Sequence, residues 1–188
     1  LSAQIGISRT PVREALQCLS QDGYITVIPS KGFMIRQLND KDMKDSIEIR
    51  RAIEGFCTNM IASQINTEKG RRLLHSLEQS LSDMEKSLEN GIQLERFIDS
   101  DHHFHLLLVN YLDNDEFNQI FQRLLYLIRL TSQDALSSDG RIKGTLDEHR
   151  AYLEALKKGD GPKAYELMIH HLLMPLKMHG NPLTTYNT

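Results

Sequence analysis

Between Leu94 and Leu112 apolar residues recur at steps of three and four: Leu94, Phe97, Ile98, Leu108 and Leu112. Asp101 and His105 are set into the same series. That spacing keeps one face of a helix turned toward a core. A carboxylate and an imidazole in such a stripe are costly to bury unless something pairs with them. Four residues apart, they are neighbours on one face and can point at a single atom. A bound metal satisfies both. So does a private Asp–His hydrogen bond, and on this segment alone the hydrogen bond is the leading reading.

Two later segments bear on the choice. The stripe Ile142, Leu146, His149, Leu153, Leu156 carries an imidazole where a leucine is expected. The stripe Ala164, Leu167, Met168, His171, Met174, Met178 does the same at His171. One inward histidine is usually a satisfied core residue. Three of them with a carboxylate, on three helices of one bundle, call for a shared partner. We therefore expect a divalent transition metal on Asp101, His105, His149 and His171; Zn, Ni, Mn and Fe all suit three imidazoles and one carboxylate. His102 borders its stripe and is held in reserve as a ligand or supporting group. His75, His103, His170 and His179 read as outward or terminal. A further stripe, Met43, Ile47, Arg50, Glu54, Cys57, Ile61, is interrupted by Arg50 and Glu54 one turn apart. They read as an internal salt bridge, or as an Arg aimed into a cavity to hold a ligand carboxylate. Arg129, with Thr131 and Ser132 nearby, is a second candidate for that cavity.

The first part of the chain has a different grammar. A short helix is stopped by Gly6, and Ser8 stands where a second helix would be capped. In that helix Val12, Ala15, Leu16 and Leu19 form the expected buried face, with Arg9, Thr10 and Arg13 off it. Tyr24–Ile28 and Phe33–Arg36 flank Pro29-Ser-Lys-Gly32, which predicts a hairpin. Helix, turn, helix and hairpin make a winged helix-turn-helix, whose second helix enters the major groove by its N-terminal end. The organisation is thus mainly α. Residues 1–38 are a partial winged helix-turn-helix, 39–180 an all-α bundle of six helices, and 181–188 a tail. The helices are expected near 40–64, 67–89, 92–112, 113–136, 142–158 and from 162 to about 179.

Ile7-Ser-Arg-Thr-Pro-Val-Arg-Glu-Ala-Leu16, followed by Leu19 and Asp22-Gly-Tyr24, resembles the recognition-helix signature of GntR-type bacterial transcription regulators. Asp101-x-x-Phe-His105 with Leu108, Glu148-His149-Arg150 with Leu153 and Ala155, and Met168-x-x-His171-Leu172 resemble the effector (FCD) domain of the FadR subfamily. The resemblance implies DNA contacts from Arg9, Thr10 and Arg13, with Lys31 and Gly32 at the wing tip. It implies a homodimer on a pseudopalindromic double-stranded operator, answering a small organic acid bound beside the metal. It also implies that the winged domain, lacking a helix and a half of the family pattern before Leu1, is truncated at its N-terminus. Six body helices place the chain with the VanR-like members, which argues against an acyl-CoA ligand. The family's small Ser-Gly-Asn turn is replaced here by Tyr111-Leu-Asp-Asn-Asp115.

Charge agrees with two parts: residues 1–39 carry Arg9, Arg13, Lys31 and Arg36 against Glu14 and Asp22, while the whole chain is net −3. Cys18 and Cys57 make no disulfide framework or metal spacing, and both read as small core residues. No apolar run approaches the ~18 residues of a membrane span, and there is no signal peptide, so a cytoplasmic location is expected. The rival functions are a metal-dependent hydrolase and a dimerisation block with a purely structural metal. Against the hydrolase, no separate inward Glu offers a general base, and Glu148 sits beside its stripe.

Overall fold

The computed structural model describes residues 2–36, 39–136 and 140–178. It divides after Asn39 into two compact units. His179 and the expected tail at 181–188 lie outside the described residues.

In the first unit α1 (Ser2–Ile5) stops at Gly6, whose φ of +67° is left-handed and suits a residue without a Cβ. α2 (Arg9–Gln21) follows, with Ser8 extended at the cap position but making no side-chain cap bond. β1 (Ile25–Ile28) and β2 (Gly32–Ile35) pair antiparallel, Ile25 opposite Ile35 and Ile28 opposite Gly32. Ser30 at φ +63° and Gly32 at +109° turn the chain between them. The expected buried face of α2 is only partly covered. Val12 and Leu16 are half-buried, whereas Ala15, Leu19 and Cys18 are exposed, so Cys18 is not a core residue. One helix of 13 residues and a two-stranded hairpin hold too little apolar mass to enclose side chains.

Among the described residues the second unit has six helices: α3 (Asp40–Gln64), α4 (Glu68–Lys86), α5 (Leu94–Asn110), α6 (Asp115–Leu136), α7 (Arg141–Lys157) and α8 (Gly161–Met178). Side-chain oxygens start several of them, as cap chemistry requires. Thr67 Oγ1 accepts from Gly70 N at 3.1 Å, Asn114 Oδ1 from Phe117 N at 3.1 Å, and Asp160 Oδ1 from Lys163 N at 3.0 Å. The departure at residues 111–115 is absorbed by Asp113, which takes a φ of +51°. Aspartate tolerates this region better than most residues, and Lys69 Nζ pairs with its carboxylate at 2.6 Å.

α3 packs along α8, α4 along α5, and α7 against both α8 and α4. Phe97, Phe104, Phe121, Leu77, Leu108 and Leu156 fill the shared core and are fully buried. The polar members of the stripes are buried with them: Arg50, Glu54, Asp101, His105 and His149 all expose less than a tenth of their surface. The stripes therefore place these groups in the interior by the same periodicity that places the leucines.

At the α3–α4 corner a Cβ on Gly70 would stand 2.5 Å from the carbonyl oxygens of Gln64 and Ile65. Backbone cannot give way as a side-chain tip can. Gly70→Ala is expected to lower stability by about 1–3 kcal/mol, read as a lower urea midpoint at unchanged slope. An unaltered midpoint would show that the corner opens freely.

Candidate metal centre

α5 presents Asp101 and His105, α7 presents His149, and α8 presents His171. One ligand atom from each lies within 4.8 Å of all the others. His171 Nε2 is 3.2 Å from His105 Nε2, and Asp101 Oδ1 is 3.4 Å from His149 Nε2 and 4.0 Å from His105 Nε2. The His105 and His171 rings stack at 5.1 Å, and His149 meets both edge-on.

What faces the other way fixes the chemistry. Each imidazole sets Nδ1 against an oxygen: His105 against Glu54 Oε2 at 2.5 Å, His149 against the Thr145 carbonyl at 2.8 Å, His171 against Glu148 Oε2 at 2.7 Å. The hydrogen bond at one ring nitrogen sets the role of the other. With the proton on Nδ1 in each ring, the three Nε2 atoms are lone-pair donors facing one another and a carboxylate oxygen. Asp101 Oδ1 and His149 Nε2 are buried with no hydrogen-bond partner among the described residues. In that tautomer four acceptors have no proton to share and repel unless a cation lies between them, so the residues present fit a divalent metal. Burial, with His171 beside it, holds His149 down at about 4. Burial and the Arg50 guanidinium keep His105 well below its ordinary range. Burial alone would raise Asp101, but the surrounding imidazoles outweigh it and bring the carboxyl to about 2. At neutral pH these two histidines and Asp101 stand ready in their metal-binding forms.

The site opens onto a cavity lined by Arg50, Ser132, Arg141 and Thr145, with Leu136, Leu172 and Pro175 as its apolar wall. Arg50 keeps its salt bridge, Nε to Glu54 Oε1 at 2.7 Å. Its Nη2 is buried without a partner among the described residues. Arg50 thus makes the internal salt bridge and also lines the cavity. Arg129 does not join it: its side chain is half-exposed and pairs with Asp99, and it is not among the lining residues. Ser132 does line the cavity, and Thr131's side chain lies outside the described residues. His102 is buried, with Nε2 3.5 Å from Ser132 Oγ, and stands apart from the four-atom cluster. His75, His103 and His170 are exposed.

Three residues escaped the sequence reading. Glu54 was visible only as a partner of Arg50, Glu148 as a residue beside its stripe, and Arg141 not at all. Arg141 holds Glu148 through both nitrogens, Nη1 to Oε1 at 2.7 Å and Nη2 to Oε2 at 2.6 Å. Burial would raise Glu148, but the bonds from Arg141 and His171 win and bring it to about 2. In the first unit Arg9, Thr10 and Arg13 are exposed on the first turns of α2, and Lys31 and Gly32 are exposed at the hairpin turn.

Residues 45–173 match the FCD domain family, and residues 1–35 match the gntR family of bacterial regulatory proteins. This chain belongs to the FCD-containing GntR regulators. It is 29% identical over 171 residues to the uncharacterized HTH-type transcriptional regulator YdhC of Bacillus subtilis, covering 91% of this chain and 75% of that one. It is also 29% identical over 175 residues to the HTH-type transcriptional repressor RspR of Escherichia coli, covering 92% and 73%. Among solved structures, E. coli McbR/YncC superposes with a TM-score of 0.75 at 18% identity, over 99% of this chain and 85% of that one. The Zn²⁺-bound FCD domain of TM0439 gives 0.59 at 20% identity, over 79% and 99%. The regulator is thus a DNA-binding transcription factor with a helical FCD domain, and its families are regulators rather than enzymes. Glu54 and Glu148, the carboxylates behind the histidines, are each held by a guanidinium and an imidazole, and burial raises the Glu54 carboxyl above its ordinary range.

The depressed His149 makes the metal-free regulator acid-sensitive. Its folded value, about 4, lies below the ordinary 6.5. The unfolded chain therefore takes up a proton that the folded chain refuses, and stability present above 6.5 is lost as pH falls toward 4. For this residue alone the loss is of order 3 kcal/mol. Urea unfolding of chelator-treated protein at about pH 7.5 and about pH 5 reads the part of it expected over that range, roughly 2 kcal/mol. His149→Gln is expected to flatten the dependence, and an identical slope would assign the acid loss elsewhere.

Proposed function

We propose that the helical domain binds one divalent transition metal through Asp101, His105, His149 and His171, together with a small carboxylate effector in the adjoining cavity. The observation that carries this reading is the convergence of three Nε2 lone pairs and Asp101 Oδ1, two of them buried without a partner among the described residues. The donor set suits Zn, Ni, Mn or Fe and excludes none of them. The FCD domain of TM0439 is Zn²⁺-bound, which is in keeping with that set. When bound, the metal supplies open coordination positions for a ligand oxygen. Arg50 Nη2, buried beside it, is a matched donor for a carboxylate.

The regulator acts as a cytoplasmic homodimer on double-stranded DNA, reading a pseudopalindrome with two α2 helices. Arg9, Thr10 and Arg13 approach the major groove, and Lys31 and Gly32 follow at the wing. An effector alters DNA affinity only by binding one arrangement of the dimer better than another.

Elemental analysis of protein purified without chelator or nickel resin is expected to give about one transition metal per chain, a single site in the sense of four converging ligands. His149→Ala/His171→Ala should remove it. A saturable melting shift with small carboxylic acids, lost in Arg50→Ala, separates an effector site from a purely structural metal. No metal in the wild type even after reconstitution would remove the constellation as a sensor.

On DNA, fluorescence anisotropy of the full-length protein on its own upstream sequence should distinguish specific from scrambled duplex at fixed salt. Arg9→Ala or Arg13→Ala should reduce the salt slope by about one if that side chain binds phosphate, or cost about 1–3 kcal/mol at one position if it reads a base. Equal binding of both duplexes by the wild type would sink the DNA-reading assignment.

A further inference from the structure

α7 orients two of the three imidazoles by itself. His149 donates Nδ1–H to the carbonyl of Thr145, one turn back on the same helix. His171, on α8, donates to Glu148 of α7 at 2.7 Å. Glu148 is in turn clamped two turns along α7 by both Arg141 nitrogens, and its Oε2 receives Arg141 Nη2 at 2.6 Å as well as the imidazole. On the opposite side of the site the same chain of groups recurs: Arg50 holds Glu54 Oε1 at 2.7 Å, and Glu54 Oε2 takes His105 Nδ1–H at 2.5 Å. Both guanidinia line the cavity.

We propose that Glu148, with Glu54 in parallel, is a positioning residue for the metal centre: each carboxylate forces the proton of its imidazole onto Nδ1 and so directs the Nε2 lone pair at the metal. This rests on the metal reading above. A neutral imidazole in water prefers its proton on Nε2, the tautomer that cannot ligate through that nitrogen. A carboxylate at Nδ1 reverses the preference and makes Nε2 a stronger donor. Arg141 stops Glu148 from rotating away, since a bidentate guanidinium fixes the plane of the carboxylate. His171 needs this most of the three. Its ring is the least buried of the set, 12% exposed against 1% for His105 and 2% for His149, so packing confines it least.

The test uses the chelator-stripped full chain, with Zn²⁺ as probe in competition against a chromophoric chelator. Long-range ¹⁵N–¹H NMR reads each imidazole tautomer in the metal-free protein. Glu148→Leu is expected to weaken Zn²⁺ binding by about 10–100-fold and to move His171 toward the Nε2–H form. Glu148→Gln, whose amide oxygen still accepts from Nδ1, should recover most of the affinity and the original tautomer. Glu148 is partly exposed, so both variants are expected to fold, and a metal-free melting curve for each checks this. Wild-type Zn²⁺ affinity in Glu148→Leu overturns the proposal. So does weakened binding with an unchanged His171 tautomer, which would mark a merely structural role. A wild-type His171 that already carries its proton on Nε2 overturns it without any variant. A wild type that takes up no Zn²⁺ overturns the metal reading instead, and the His171 tautomer in wild type and Glu148→Leu still decides the role of Glu148.

Discussion

Four acceptor atoms from three helices face one another across less than 5 Å, and the helical domain is arranged so that they cannot turn away. Each ring is pinned from behind, two by carboxylates and one by a backbone carbonyl. Those pins place demands on elements that contribute no ligand. α3 must run beside α5 to bring Glu54 to His105, and Arg50 must lie one turn earlier on α3 to hold Glu54. α7 must lie against α8 for Glu148 to meet His171, and it does. An apolar core of the same volume would be cheaper to fold, because buried polar groups rarely outperform hydrophobic packing. A metal bound as proposed would offset that cost.

How much of this was legible in the sequence follows from what periodicity reports. It says which face of a helix is inward, and so His149, His171, Asp101 and His105 could be picked out as wrong-polarity members of apolar stripes. It says nothing about which inward groups from distant helices touch. Arg50 and Glu54 are neighbours on one helix, and their pairing was readable. The second oxygen of Glu54 reaches a residue 51 positions away, and only the packing of α3 on α5 brings them together. Glu148 fell beside its stripe because it works sideways, from the shoulder of α7 toward α8. Arg141 sits at the first turn of α7, where a charged residue ordinarily reads as solvated. Arg129 failed for the opposite reason. It lay near the right segment, but its turn of α6 presents it outward to Asp99.

The same limit explains the first unit. The stripe Val12, Ala15, Leu16, Leu19 is a correct statement about α2's amphipathic face, yet two of the four are exposed. A stripe predicts burial only if enough apolar surface exists to meet it, and the hairpin supplies too little. The winged topology was still recoverable, because it depends on local signals: Gly6 stopping α1, and the Pro29–Gly32 turn reversing the strand.

The cavity geometry constrains how such a regulator can respond to a ligand. An effector shifts a two-state equilibrium only through its difference in affinity between the states. A carboxylate held by a surface lysine would gain little, since exposed ion pairs contribute at most about 1 kcal/mol. Arg50 Nη2 is different, because it is already desolvated and unpartnered among the described residues. The cost of burying that donor has been met by folding, so an anion reaching it recovers a charge-assisted hydrogen bond without a further desolvation penalty on the protein side. Arg50 also remains bonded to Glu54, and Glu54 to His105. An anion at Arg50 therefore draws charge from the guanidinium that the carboxylate now shares, and Glu54 is left a stronger acceptor for the His105 proton. The proposed metal and anion would share one connected network of Arg50, Glu54 and His105, so binding at one end would change the other.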